Sequence, residues 1–379
     1  MLTHLWYSER ARSWLIQGLL LGGVACFLYW VCGNTAANLA ARGIRVGYEF
    51  LWRTARFPIS ESVIPYSPAD TFLWAFVVGI ANTLFISLLA IVSSTVVGLL
   101  VALARRSGNP LLAGITGGYV TAVRNTPLIV QLLFWYALAT TALPAPRNAF
   151  NPIDGVFISL RGIFLPQVHL SGDTTTFAAL ALSIIVVTTM MVGIARRWNV
   201  PLRGALVMIA VVTALGAVAA VNDIRISVST PELRGLNFVG GFRLSSEFTA
   251  LMLGLVIYTS AFIGEIIRGG IDAIGKGQWE AARALGLNER KTLSRIIIPQ
   301  ALRIIIPPLT TQYLSTVKNT TLALAVGYPE LGLIVGTVIN QTGQAIESIV
   351  IMLAVFLTIS IAVSLVMNRY NRKIALVQP

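Results

Sequence analysis

Four groups of residues in this chain have types and spacings that could do chemistry. The first, Gly270-Ile-Asp-Ala-Ile-Gly275-Lys276, has the spacing of a loop that cradles phosphates. Gly277 stands where such a loop needs a hydroxyl for Mg²⁺, and a long apolar run rather than a β-strand precedes it, so no ATP site is expected here. The second group, Arg124, Glu265 and Lys318, falls within or against apolar runs long enough to cross a membrane. A charge at the centre of such a helix costs about 2.5–3.5 kcal/mol, so each should face protein or a hydrated path rather than lipid. For Lys318 two readings stand side by side: it lines a polar route, or it forms a structural ion pair, for example with Glu265. For Glu265, near the end of its run, the structural reading is favoured. The third group yields nothing. His4 and His169 are isolated, Cys26 and Cys32 are six residues apart, and no Ser/His/Asp cluster or metal-ligand spacing occurs, so no catalytic residue and no metal site is predicted.

The fourth group works by recognition. Glu280-Ala-Ala-Arg-Ala-Leu-Gly286 is followed by nine residues and then by Ile296-Ile-Ile-Pro299. The spacing predicts a short helix over Gln278 to Leu285, with Glu280 in its first turn where a carboxylate meets the positive end of the helix dipole. Ala281, Ala282 and Leu285 would share one face, small enough to enter a groove on another protein. Gly286 is placed to take the left-handed conformation that ends a helix, and Asn288 to cap the next. Leu293, Ile296 and Ile297 would give that second helix an apolar side before Pro299 breaks it.

The elements that must hold these groups are membrane helices. With 56% apolar and 11% charged residues over 379 positions, too little polar surface remains for a soluble globule. Eight hydrophobic stretches are long enough to span, near 14–33, 72–104, 111–141, 177–195, 204–221, 247–267, 304–326 and 345–368. The third carries a break: Thr126 and Pro127 have the order of an N-cap followed by a first helical residue. Pro307-Pro308 reads as a helix start, which puts Lys318 near mid-bilayer. Lys and Arg collect in cytoplasmic loops, and 17 of the 28 lie in 1–13, 105–110, 196–203, 268–303 and 369–379 against four acids, so both termini are expected inside. The net charge of +13 is this topology summed, and argues for no nucleic-acid partner. Arg42, Arg45, Arg53 and Arg56 run against the rule, in a stretch from Ala37 to Phe57 with an amphipathic look that suits a membrane surface, a partner or plain solvent. Gly18–Gly22 and Gly114–Gly118 have the spacing of close helix packing.

Glu280 to Pro299 resembles the EAA loop by which the membrane subunit of an ATP-binding cassette (ABC) importer docks on its ATPase, with Ile298 where the pattern has Leu. Arg124-Asn-Thr-Pro-Leu-Ile-Val-Gln-Leu132 and Lys318-Asn-Thr-Thr-Leu, followed by Gly327-Tyr-Pro-Glu-Leu331, resemble the paired motifs of polar amino acid ABC permeases. Asn125 replaces the Gly common there. With Asn82-Thr-Leu84, the resemblance covers roughly residues 70–140 and 245–370. It implies an all-α type I importer transmembrane core of five helices, to which this chain adds a first helix and an inserted hairpin at about 177–221. On that plan residues 1–70 form an N-terminal helix and periplasmic segment, 71–370 the permease domain with the cytoplasmic loop 268–303, and 371–379 a tail. Chains of this larger form are similar to general L-amino acid permeases, which pair with a related sister permease rather than with themselves.

The resemblance therefore implies a multi-pass protein of the bacterial inner membrane that is not itself an enzyme. Its partners would be two ABC ATPases carrying ATP and Mg²⁺, a second permease and a periplasmic amino acid-binding protein. Glu280, Ala281, Ala282, Leu285, Gly286, Ile298 and Pro299 would couple to the ATPase, and Arg124, Asn125, Thr126, Lys318, Asn319 and Thr320 would line the route. An ion-coupled secondary transporter accounts equally for intramembrane charge but not for the long spaced loop; a non-transporting scaffold is the other rival. Parity supplies a test. Deleting the hairpin with its flanks removes two spans, so a cysteine placed in 268–303 should stay inaccessible from outside the cell. Outside labelling after that deletion would contradict the span count between residues 141 and 247.

Overall fold

A computed structural model describes residues 9–41, 47–172, 174–197, 204–222 and 225–374. His4, Arg42 and Arg45 lie outside these, as do the 198–203 connector and the last five residues. Helices occupy all eight predicted stretches. They are α1 (Glu9–Ala41), α2 (Phe72–Arg105), α3 (Pro110–Asn125), α4 (Leu128–Ala137), α5 (Thr174–Arg197), α6 (Gly204–Val221), α7 (Ser246–Asp272), α8 (Lys276–Ala284), α9 (Glu289–Thr292), α10 (Ile298–Asn319), α11 (Leu331–Thr342) and α12 (Ala345–Ile374). By length and composition, four segments are each able to cross a membrane alone: Arg12–Thr35, Phe72–Arg105, Ser246–Asp272 and Ala345–Arg369. At about 1.5 Å per residue α2 exceeds a hydrocarbon core of about 30 Å, so it tilts or projects.

Contacts divide the chain into two units, one of residues 1–133 and 251–379, the other of 134–250. In the first, Phe50, Ala55 and Phe57 of the segment before α2 are buried with Phe72, Ala75 and Phe76 of α2 and Leu331, Ile334, Val335 and Val338 of α11. The stretch from Ala37 to Phe57 is thus not one amphipathic helix: α1 ends at Ala41, a single 3₁₀ turn covers Glu49–Trp52, and Arg53 is extended. Hydrophobic burial fixes it, since three of its residues belong to the core. Where α2 crosses α7, Gly98 and Gly264 lie against each other's helix. A Cβ added at Gly98 would meet Ile263 Cγ2 at 2.7 Å, and one at Gly264 would meet Val101 Cγ1 at 2.8 Å. Added Cβ atoms at Gly18, Gly22, Gly114 and Gly118 would meet nothing within 4 Å, so the packing expected of those pairs is not made within this chain's described residues.

The second unit holds what composition concealed. The expected loops around 142–176 and 222–246 contain eight short strands: β1 (Phe150–Ile153), β2 (Val156–Ser159), β3 (Gly162–Leu165), β4 (Gln167–Ser171), β5 (Arg225–Ser229), β6 (Glu232–Arg234), β7 (Asn237–Val239) and β8 (Phe242–Leu244). Four form an antiparallel sheet in the order β1-β2-β3-β8, and β6 pairs with β7. Phe238 stacks on Phe157 and meets a tilted Phe164, with ring centroids 4.5 and 4.8 Å apart. Strands β4 and β5 pair from Gln167 with Ser229 to Ser171 with Arg225, which brings the entrance of α5 and the exit of α6 to one end. That is the geometry of a helical hairpin, and α5 and α6 lie against each other, with Ile184, Thr188 and Val192 across a shared groove from Val207, Ala210 and Ala214.

Back in the first unit, the turn between α10 and α11 is tied to α2 by buried polar groups. Asn82 Nδ2 donates to the carbonyls of Glu61 and Pro329 at 2.9 and 2.8 Å, and its Oδ1 accepts from Val63 N at 3.0 Å. Thr83 Oγ1 accepts from Leu331 N at 3.0 Å. Glu330, wholly buried, caps α11 by accepting from Leu333 N at 3.0 Å. Burial pushes its carboxyl up from an ordinary 4.5 to about 7, against the pull of the Gly332 and Leu333 amides. A folded-state pKa above the unfolded value means that the native chain holds the proton more tightly, so this group's contribution declines as pH rises from about 4.5 to about 7. Thermal unfolding of the solubilised protein across that window should show the decline, and Glu330→Gln, neutral throughout, should lack it. Parallel pH profiles for the two proteins would contradict this.

Candidate functional site

The spaced segment builds a platform from two short helices and an irregular turn. Helix α8 begins at Lys276, two residues before the expected start, so Glu280 lies in its second turn, and the first-turn dipole argument for it does not hold. The chain leaves α8 as anticipated. Gly286 takes φ +70°, with Leu287 N donating to Ala282 O at 3.1 Å and Gly286 N to Arg283 O at 2.9 Å, the paired bonds of a Schellman ending. Asn288 caps α9 by accepting from Lys291 N at 2.9 Å. Pro299 does not end a helix here. A π-turn over Leu293–Ile297 carries the chain straight into α10, where Pro299 sits in the first turn and needs no donor.

The shared face of Ala281, Ala282 and Leu285 is split. Ala282 is 1% exposed, while Leu285 is 78% exposed and Ala281 is open to solvent. Positions three apart, Trp279 and Ala282, turn toward the chain's own helices; positions four apart, Ala281 and Leu285, turn away. Trp279, Leu293 and Ile296 pack on a buried cluster of Ile263 and Ile267 from α7, Ile274, Ile297, and Ala301 and Ile305 from α10. Gln300 Nε2 donates to Gln278 Oε1 at 3.2 Å, a further tie between α10 and α8. Glu280, Ile298 and Pro299 are exposed. The platform therefore presents a large apolar side chain outward while seated on the ends of two long helices.

Beside it, charges join α2 to α7. Arg105 lies 3.3 Å from Glu265, which also pairs with Arg268, and Asp272 pairs with Arg106 and with Arg268 at 3.0 Å. Glu265 thus has its partners on its own helix and on α2. The suggested pair with Lys318 is not formed, because Glu265 sits near the end of α7 where the basic end of α2 meets it.

The residues expected along a polar route lie on two segments flanking α7. The helix break is present: α3 ends at Asn125 and α4 starts at Leu128. Thr126 does not cap the second helix, since its Oγ1 donates back to Ala122 O at 2.9 Å, and the carbonyl of Pro127 accepts the first bonds of α4. Gln131, which lies within the Arg124–Leu132 motif, bridges the break by donating to the carbonyls of Val123 and Thr126 at 2.9 and 3.0 Å. Arg124 and Asn125 are exposed, with the Arg124 guanidinium 5.0 Å from the Phe262 ring centroid of α7. One turn away Thr259 meets Thr316 of α10 at 3.4 Å. Helix α10 starts at Ile298 and runs through Pro307 and Pro308, so Lys318 occupies its last turn rather than a midpoint counted from the prolines. Lys318 is exposed, Asn319 half-buried, and Thr320 wholly buried with its hydroxyl donated to Val317 O at 2.7 Å. Among the described residues no hydrogen bond or ion pair joins the two segments.

Long apolar helices, a platform with an outward apolar residue and exposed polar segments beside α7 define a membrane component of a transport assembly. Residues 94–376 match the family described as binding-protein-dependent transport system inner membrane component, and this chain belongs to it. A protein of Escherichia coli named as an amino-acid ABC transporter permease, YhdX, is 44% identical over 98% of this chain and 96% of its own length. The general L-amino acid transport system permease AapQ of Rhizobium johnstonii is 38% identical over 98% of this chain and 94% of its own. The glutamate/glutamine/aspartate/asparagine permease BztB of Rhodobacter capsulatus is 34% identical over 99% and 96%.

The platform's turn makes a direct prediction. A side chain other than Gly or Asn at φ > 0 costs about 1–2 kcal/mol, and a β-branched one fits worst. Gly286→Val should accelerate amide exchange across residues 281–292 by roughly 5–30-fold and leave the unfolding midpoint of the spans unchanged, with Gly286→Asn close to the parent. Unchanged exchange in Gly286→Val would mean that the left-handed turn does not hold the platform.

Proposed function

We propose that this chain is the membrane-spanning permease subunit of an ATP-driven importer, carrying amino acids delivered by a periplasmic binding protein through alternating access. The single observation that carries the reading is the seated platform. Leu285 and Ala281 face outward from a helix whose other side is fixed to the ends of α7 and α10, so a push on that face moves two long helices together. The partners are two ABC ATPases that hold the ATP and Mg²⁺, and a related sister permease rather than a second copy. Both termini face the cytoplasm on the charge argument. The amino acid class is supported by the names of the three relatives, all matched over nearly their whole length.

In this reading α8 occupies a groove on the ATPase, with Gly286 setting its angle and Glu280, Ile298 and Pro299 at its rim. Arg124, Asn125 and Lys318 face the hydrated path, Asn319 borders it, and Thr126 and Thr320 shape it through their backbone bonds. The test is amino acid uptake into proteoliposomes holding all subunits. Uptake should require ATP and the ATPases; uptake driven by an ion gradient alone would contradict the proposal. Lys318→Met should slow uptake by roughly tenfold or more, the equivalent of one charge-assisted hydrogen bond, with assembly intact. Normal uptake in that variant would remove Lys318 from the route.

A further inference from the structure

On the topology proposed above, on which this inference rests, Arg53 and Arg56 lie on the side of the membrane where the charge rule disfavours them. With Trp52, Phe72, Gln341 and Gln344 they line a concavity of about 590 Å³ in the first unit, a site that the transport reading does not use. Its frame is rigid. Phe50, Ala55 and Phe57 are buried in the core, Ala55 N donates to Asp70 O at 2.8 Å, Arg56 N to Pro68 O at 2.9 Å, and Phe72 N to Arg53 O at 3.0 Å. Arg56 has φ +58°, alone among the described non-glycine residues, a conformation that persists only where the surroundings impose it. Of the carboxylates near it, Glu347 accepts from Gly47 N at 2.9 Å and Asp70 from Ser67 N at 2.7 Å. Neither arginine has an ion pair among the described residues.

The depth of the concavity identifies its occupant. Phe72 is the first residue of one membrane-crossing segment and Gln344 immediately precedes another, so the floor lies where the hydrocarbon ends and the headgroups begin. Trp52, 72% exposed, and Tyr48, 49% exposed, supply the amphipathic rings that favour that layer. A planar guanidinium matches phosphoryl oxygens two at a time. We propose that the concavity binds the phosphate of an anionic phospholipid headgroup at the outer surface of the membrane, with Arg53 and Arg56 as donors and Trp52 at the rim. The loop that violates the charge rule is then anchored by the lipid it attracts.

The experiment places a photo-crosslinking residue at Gln341 of the full-length chain, in nanodiscs of equal phosphatidylglycerol and phosphatidylcholine. Adducts to phosphatidylglycerol should exceed the others by about fivefold or more per arginine, and Arg53→Gln should reduce the excess by about that factor. In the protein with both arginines, high salt should shrink the excess, so the result does not hang on the folding of a variant. An equal ratio of adducts, or an excess indifferent to salt, would overturn the proposal. Loss of the lipid adducts on adding millimolar inorganic phosphate or glycerol phosphate would assign the site to a soluble phosphate instead. Adducts to a protein in native membranes would replace the lipid with a partner.

Discussion

A single apolar joint decides whether the segment from Lys276 to Ile297 is a lever or a tether. Ile263, Ile267, Ile274, Ile297, Ala301 and Ile305 are buried together, with Trp279 of α8 packed on them. Fully burying one such side chain is worth about 1.5–3 kcal/mol, whereas partly exposed ion pairs contribute about 0–1 kcal/mol each. The neighbouring network of Arg105, Arg106, Glu265, Arg268 and Asp272 therefore sets the register of α2 against α7, and the isoleucines hold the platform. The π-turn adds rigidity by carrying α9 into α10 without a free loop.

From that joint the path to the route residues is short in elements. Helix α7 carries Ile263 and Ile267 in the joint, Phe262 beneath Arg124, and Thr259 against Thr316 of α10, whose last turn bears Lys318. The Gly98–Gly264 crossing lets α2 lie close along the same helix. Both exposed cationic segments thus flank one helix that also ends at the platform, an arrangement suited to linking partner contact with the exposure of a polar path.

The sequence made the long helices, the break at Thr126-Pro127 and the glycine turn at Gly286 legible, because apolar runs, Pro and a helix-ending Gly act locally. It misassigned the face of α8. Trp279 with Ala282 and Ala281 with Leu285 are both apolar pairs at helical spacing, and periodicity cannot say which meets its own chain and which a partner. The strands were hidden because runs of three to five residues are too short to display alternation, and β3 finds its partner β8 only across the α5–α6 hairpin. Likewise, the expected glycine pairs at four-residue spacing face open space, while Gly98 and Gly264 reveal their role only when two distant helices cross. Gln131 stands in the Arg124–Leu132 motif, yet its bridging of the break rests on backbone carbonyls whose positions residue types do not give.

The central claim is that one face of α8 meets an ATPase while the other is sealed to the chain's own helices. Site-specific cross-linking in native membranes addresses it most directly, with a photo-reactive residue placed in turn at Leu285 and at Ala282. The account predicts adducts of Leu285 with a co-purifying ATPase subunit, and adducts of Ala282 confined to this chain. Leu285 adducts restricted to lipid or to this chain, or ATPase adducts formed equally from both positions, would contradict it.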